Sequence, residues 1–202
     1  MKSEIILIGP IGSGKSTIAE LISMKTGLPR RSMDELRWKY YDEMDYDRDL
    51  ARYYFDKEGC WGIYRYWKPF EAYAVQRLLS DYDQCVIDFG AGNTVYEDDI
   101  LFNQVCQVLR SYPYVVLLLP SPNPEESIQI LNARTAYVPA GQDSINEYLI
   151  RHRSNYKLAK LTIYTKDKTP EETCDEILKW VQNQESTDLT ITVPSLNRHH
   201  IY

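Results

Sequence analysis

Eight residues near the N-terminus, Gly9-Pro10-Ile11-Gly12-Ser13-Gly14-Lys15-Ser16, place glycines, a lysine and a hydroxyl in the order G-x-x-x-x-G-K-[ST]. The glycines let the chain curl so that successive backbone N–H groups face one centre, beside the positive end of a helix dipole. From such a loop Lys15 reaches the β- and γ-phosphates of a nucleotide, and the Ser16 hydroxyl ligates Mg²⁺. The predicted contacts to ATP are therefore Gly9, Gly12, Ser13, Gly14, Lys15, Ser16 and the adjoining Thr17. The flanks agree with this chemistry. Ile5-Ile6-Leu7-Ile8 is an apolar run of strand length, and residues 16–25 read as a helix, which is the context a phosphate-binding loop requires.

The elements that position this loop follow from periodicity. Strand-like runs occupy residues 4–8, 84–88, 114–119 and 161–164, with a shorter one near 28–31. Between them, apolar residues recur at helical spacing over 67–79 and 98–109. Pro124-Glu125-Glu126 and Pro170-Glu171-Glu172 open two further helices with proline and acids in the first turn, the last running to about residue 183. Strands alternating with helices predict a parallel sheet covered on both faces, and Val115-Val116-Leu117-Leu118-Leu119 suits a strand buried on both sides. Residues 184–202 lose helical periodicity and read as a loosely held tail.

Composition bounds the function. A chain of 202 residues accommodates one α/β domain with a full core. The net charge of −6 lacks the basic face that a nucleic-acid polymer demands. No apolar run approaches the ~18 residues of a membrane span. Cys60, Cys85, Cys106 and Cys174 are scattered without a C-x-x-C pair, as in a reduced cytoplasmic protein, and the chain enters its first strand without room for a signal sequence. The 17 tyrosines and 4 tryptophans, many between Trp38 and Tyr82, suit a helical cap packed by rings, and also leave room for a stacked base.

Beyond the loop, the chain lacks the N-K-x-D guanine motif of GTPases. Several blocks resemble the shikimate kinase family over residues 1 to about 183. Ser32-Met33-Asp34 resembles its D-x-D pair, keeping the second aspartate and replacing the first by serine. Tyr64-Arg65 resembles its Phe-Arg pair, although the following glutamate, Glu71, comes late. Gly90-Ala91-Gly92 resembles its triple-glycine turn, Leu131-Asn132-Ala133-Arg134 its lid arginine, Arg153-Ser154-Asn155-Tyr156 a second substrate arginine, and Thr165 to Pro170 its adenine-side loop. The resemblance implies that Asp34, Arg65, Gly90, Gly92 and Arg153 bind the acceptor, that Lys15, Asp34 and Arg134 are catalytic, and that Lys168 and Pro170 flank the adenine.

Each assignment has a simpler reading beside it. Asp34 either orients an acceptor hydroxyl or caps the helix starting at Glu35. Asp88 ends an apolar strand where a Walker-B carboxylate holds Mg²⁺, and a carboxylate at that depth is costly unless paired. Gly90 and Gly92 either admit a ligand to the backbone or form an ordinary turn. Arg134 acts as an arginine finger in cis or as a solvated helix end, and Arg151 competes with Arg153 for one role. Arg65 and Arg153 either clamp an acidic group bidentately or are ordinary surface arginines. His152, His199 and His200 have no metal-ligand spacing.

These readings predict a three-layer α/β P-loop NTPase fold of about five parallel strands over 1–183, with a helical cap near 34–80 and a short lid near 134–145. The expected activity is transfer of the ATP γ-phosphoryl group to a hydroxyl of a small anionic metabolite, with Mg²⁺ as cofactor. A nucleoside, nucleotide or gluconate-type kinase, and a non-catalytic ATP-binding regulator, are the alternatives, and the sequence leaves oligomeric state open.

Overall fold

The computed structural model describes residues 4–135 and 145–191. Five parallel strands form one sheet in the order β2-β3-β1-β4-β5: β1 (Ile5–Ile8), β2 (Arg30–Ser32), β3 (Val86–Asp88), β4 (Tyr114–Leu119) and β5 (Leu161–Tyr164). The central β1 pairs with β3 and β4, bringing Leu7 level with Asp88 and Val116. Strand alternation splits the core into two layers. Ile6, Ile8, Val115, Leu117 and Leu119 face one apolar cluster, while Ile5, Leu7, Tyr114, Val116 and Leu118 face the other.

The second layer is covered by α1 (Lys15–Thr26) and α8 (Pro170–Ile191), through Ile18, Ile22, Cys174 and Ile177. The first is covered by α2 (Met33–Asp42), α3 (Arg48–Asp81) and α4 (Asp99–Leu109). Asp47 and Asp98 fix the starts of α3 and α4, each accepting two backbone N–H bonds of the following turn. α5 (Pro124–Arg134) follows β4, and the short α6 (Ile145–Arg151) and α7 (Arg153–Leu158) lead into β5.

Two elements differ from expectation. α8 continues to Ile191 rather than ending near 183. Residues 192–202 lie outside the described residues, as do 136–144 and with them most of the expected lid. The long α3 is two helices joined at Gly59, whose φ of 64° and ψ of −150° interrupt the spiral. The periodic stretch expected at 67–79 is the interior of its second half. No helix among the described residues is long and apolar enough to cross a membrane.

Candidate active site

The turn from β1 into α1 is the loop marked by its glycines. Gly9, Gly12 and Gly14 take φ values of 141°, 76° and 92°, a region that L side chains avoid. A Cβ at Gly9 would lie 2.5 Å from the Leu118 carbonyl oxygen, so the loop can lie against β4 only without one. Lys15 folds over this loop, its Nζ donating to the Gly9 and Pro10 carbonyls at 2.9 Å each. Burial of the ammonium lowers its pKa to about 8, opposed first by the charge of Asp34 and then by that of Asp88. The Ser13 hydroxyl is buried without a partner, and Thr17 is exposed on the first turn of α1.

Asp88, only 3% exposed at the end of β3, is the most heavily engaged carboxylate. Arg30 grips it as a fork, Nε donating to Oδ1 and Nη2 to Oδ2, both at 3.0 Å. Ser16 Oγ donates to Oδ2 at 2.9 Å and Ser32 Oγ to the same oxygen at 3.3 Å. Ser32 and Asp88 are register partners on neighbouring parallel strands. The serine at the first position of the altered D-x-D pair therefore stands beside a carboxylate supplied by the next strand. Sequence reasoning found Asp88 and Ser16 but missed Arg30. The signal was available, since a buried carboxylate needs a cation and Arg30 lies two residues before Ser32 on an adjacent strand.

The donor set suits a hard cation held mainly by nucleotide phosphates. Among the described residues no three His, Cys, Asp or Glu side chains gather into a metal site; Mg²⁺ keeps waters and shares phosphate oxygens. Ser16 and Asp88 are the protein groups in place for it. Because Arg30 already engages both Asp88 oxygens, Asp88 fits a contact through water better than direct ligation.

Next to the loop lies a cavity of about 610 Å³ between α2, α3 and the turn after β3. Ile11 from the phosphate loop, Asp34 and Arg37 from α2, Trp61, Trp67 and Glu71 from α3, and the segment 90–93 all line it. Ser32, not Asp34, is the N-cap of α2, so Asp34 stands free in the first turn of the helix. Its carboxylate lies 3.5 Å from the Arg37 guanidinium one turn later. The Arg37 guanidinium also stacks on Trp38 and Trp67 at 4.7 and 5.1 Å.

The two glycines after β3 make room for side chains of this cavity. A Cβ at Gly90 would meet Asn93 Oδ1 at 2.6 Å and Asp34 Oδ1 at 2.9 Å. One at Gly92 would meet Glu71 Oε1 at 2.3 Å. Glu71 is in turn paired at 2.5 Å with Lys68, a buried ammonium that donates to the Gly92 and Val95 carbonyls. The cation matched to Glu71 is thus Lys68, three residues before it, and not Arg65.

Arg65 and Arg153 must accordingly be withdrawn from the acceptor site. Arg65 is exposed and bonds Glu58, and Arg153, exposed at the start of α7, donates to Asp99 at 3.1 Å. Neither lines the cavity, so the clamp of Asp34, Arg65 and Arg153 does not exist. Arg151 is equally committed elsewhere, to Glu125 and Glu147. The cavity arginine that sequence reasoning missed is Arg37, and its signal was the i, i+3 spacing to Asp34, which puts both on one face of α2.

The remaining candidates sit around this centre. Arg134, exposed at the end of α5, points Nη1 to the Gly12 carbonyl at 3.4 Å, and Asn146 accepts from the Ile11 N–H at 3.0 Å. The chain on either side of 136–144 thus touches the phosphate loop. Lys168 lies between β5 and α8 with its ammonium paired to Glu176, and Pro170 begins α8.

A family model described as shikimate kinase matches residues 11–182. Among solved structures, shikimate kinase from Acinetobacter baumannii in complex with shikimate superposes with a TM-score of 0.62 at 21% identity, covering 92% of this chain and 96% of that one. Shikimate kinase from Aquifex aeolicus vf5 gives 0.58 at 22% identity, covering 91% and 98%. A gluconokinase from Sinorhizobium meliloti 1021 gives 0.55 at 15% identity, covering 95% and 99%. No curated protein matches the chain. At these identities the superpositions speak for the fold alone.

Proposed function

The chain belongs to the shikimate kinase family and is a small-molecule kinase, and on that premise we propose that it moves the γ-phosphoryl group of ATP to a hydroxyl of a molecule seated in the α2–α3 cavity. One observation carries this reading: Asp34 and Ile11 of the phosphate loop line the same cavity, and Asp34 is near enough to Lys15 for its charge to act on the ammonium. Phosphoryl transfer asks a protein mainly for position and charge. Lys15 leaves the Gly9 and Pro10 carbonyls for phosphate oxygens while the loop amides hold the rest of the chain of phosphates. Asp34 accepts the hydrogen bond of the acceptor hydroxyl and aims its oxygen at the γ-phosphorus. The new P–O bond forms there as the bond to the β-phosphate breaks, ADP leaves, and the hydroxyl proton passes to Asp34 or to water. Arg134, next to Gly12, is placed to meet charge on the transferring group. Mg²⁺, when bound by Ser16 and Asp88, supplies neutralisation of the β- and γ-phosphates.

The free state of all four cysteines supports a cytoplasmic setting. An anionic acceptor is not part of the proposal, because the arginines that suggested one lie outside the cavity. The test is Asp34→Asn: turnover should fall at least about a hundredfold while ATP affinity stays within about threefold, since the change acts on the acceptor and the transition state. Unchanged turnover would refute the role of Asp34. Acceptor-independent ADP release in every condition would refute the kinase reading of the cavity.

A further inference from the structure

The charges of the cavity are already balanced. Arg37, the cation among its lining residues, lies 3.5 Å from Asp34, and the lining carboxylate Glu71 is paired at 2.5 Å with Lys68 behind the wall. A carboxylate or phosphate on the acceptor would have to break one of these pairs, and the Lys68–Glu71 pair is buried, so breaking it leaves an uncompensated charge. The rest of the wall is apolar and aromatic. Phe55, Trp61, Tyr64 and Trp67 line it, and the far wall adds Ile145 and Leu149. Two of these rings are fixed rather than loose. Trp67 donates Nε1–H to the Tyr46 hydroxyl at 2.8 Å, and Trp61 meets Tyr64 and Tyr148 edge-on at 5.5 and 5.1 Å.

The polar end has hydrogen-bond capacity to spare. Asn93, 3% exposed and lining the cavity, keeps its side-chain Nδ2 buried with no acceptor, and Arg37 Nε is buried likewise. Buried donors without partners are uncommon, and since both residues stand at the cavity wall, a small turn of either side chain would offer its donor to a ligand oxygen or ring nitrogen. Two donors without acceptors, a carboxylate at Asp34 that also faces Arg37 at 3.5 Å, and four aromatic rings around a volume of about 610 Å³ describe one kind of guest.

We propose that the phosphoryl acceptor is an uncharged alcohol carrying a flat ring: the ring lies among Trp61, Trp67 and Phe55, the hydroxyl meets Asp34, and an acceptor atom on the ring, where there is one, meets Asn93 and Arg37. The proposal rests on the kinase reading of the same cavity. Nucleosides and simple aromatic alcohols share this chemistry, and a nucleoside alone adds ring acceptors for Asn93.

The experiment measures binding first and turnover second. Intrinsic tryptophan fluorescence and calorimetry record binding of thymidine, guanosine, 2-phenylethanol, shikimate and gluconate to the full chain with a non-hydrolysable ATP analogue. At least one uncharged ring-bearing alcohol should bind at least about tenfold more tightly than shikimate and gluconate. Trp61→Ala, and independently Phe55→Ala at a residue 43% exposed and so dispensable to the core, should weaken that binding at least about fivefold and leave ATP affinity unchanged. Nucleosides bound above 2-phenylethanol, with the difference lost in Asn93→Ala, identify the nucleoside form; the reverse order identifies the aromatic alcohol. Tighter binding of shikimate or gluconate, or indifference of the ring-bearing ligands to both ring variants, overturns the proposal while the kinase reading stands. Ring-dependent binding with no phosphorylation of any bound alcohol sinks the kinase reading of the cavity, and the acceptor role with it, leaving only a ring-binding site.

Discussion

Replacing Arg30 by methionine removes the guanidinium fork and keeps most of the aliphatic stem. In the folded protein this leaves Asp88, 3% exposed, with two serine hydroxyls and no cation. Stripping the partner from a buried ion pair costs about 3–5 kcal/mol, because the remaining charge stays out of water. A quarter of the Arg30 side chain is exposed, at 24%, so water can fill part of its place and the low end applies, about 3 kcal/mol. In a chain of this length each kcal/mol moves the melting temperature by about 2–4 °C, which gives a fall of about 6–12 °C in Arg30→Met. Scanning calorimetry reads this directly. The double variant Arg30→Met/Asp88→Asn removes the stranded charge as well and should regain at least about half of the loss, the non-additivity expected of residues in contact. A fall below about 2 °C in the single variant, or a double variant no more stable than the single, would refute the view that the pair is an electrostatic unit.

Three further outcomes are expected. Since Lys15 loses its proton near pH 8 in the free protein and a phosphate prefers the charged form, ATP affinity should hold below pH 8 and fall up to about tenfold per pH unit above it; titration calorimetry from pH 6.5 to 9.5 giving a flat profile would contradict this. Gly92→Ala drives a methyl group into the ion-paired Glu71, so thermal unfolding should register a loss of about 1–3 kcal/mol, whereas wild-type stability would mean that Glu71 moves freely. Arg65→Ala should leave acceptor KM within about twofold, because Arg65 serves only a surface pair with Glu58; a large rise in KM would restore it to the site.

The phosphate loop and the sheet were legible because their signals are local. Ile5 to Ile8, the glycines and Lys15 are contiguous, and strands buried on both faces announce themselves as unbroken apolar runs. The acceptor side was legible only at Asp34, Gly90 and Gly92, and even there the reason for the glycines was hidden, since the clashing atoms belong to Asp34, Asn93 and Glu71. The arginines misled because a surface arginine and a cavity arginine are the same letter; what separates them is the angular phase of the helix. In α3 that phase is set by the break at Gly59, after which Trp61, Tyr64, Trp67 and Glu71 recur every three or four residues toward the cavity and Arg65 falls between them. An aromatic-rich segment obscures this stripe, because its other faces are aromatic too: Tyr66 and Phe70 pack on Tyr46.

The register of Ser32 against Asp88 makes the two positions an epistatic couple. A carboxylate at the C-terminal end of β2 would stand beside the one that ends β3, near the same Ser16 and Arg30. Two carboxylates there at once would repel across a strand spacing with a single arginine to answer both. Ser32→Asp should therefore be better tolerated together with Asp88→Ser than alone. Set beside the D-x-D pair it resembles, the chain carries a carboxylate one strand over, at Asp88. A pattern written along one strand is blind to such a placement, while one written across the pair would see it.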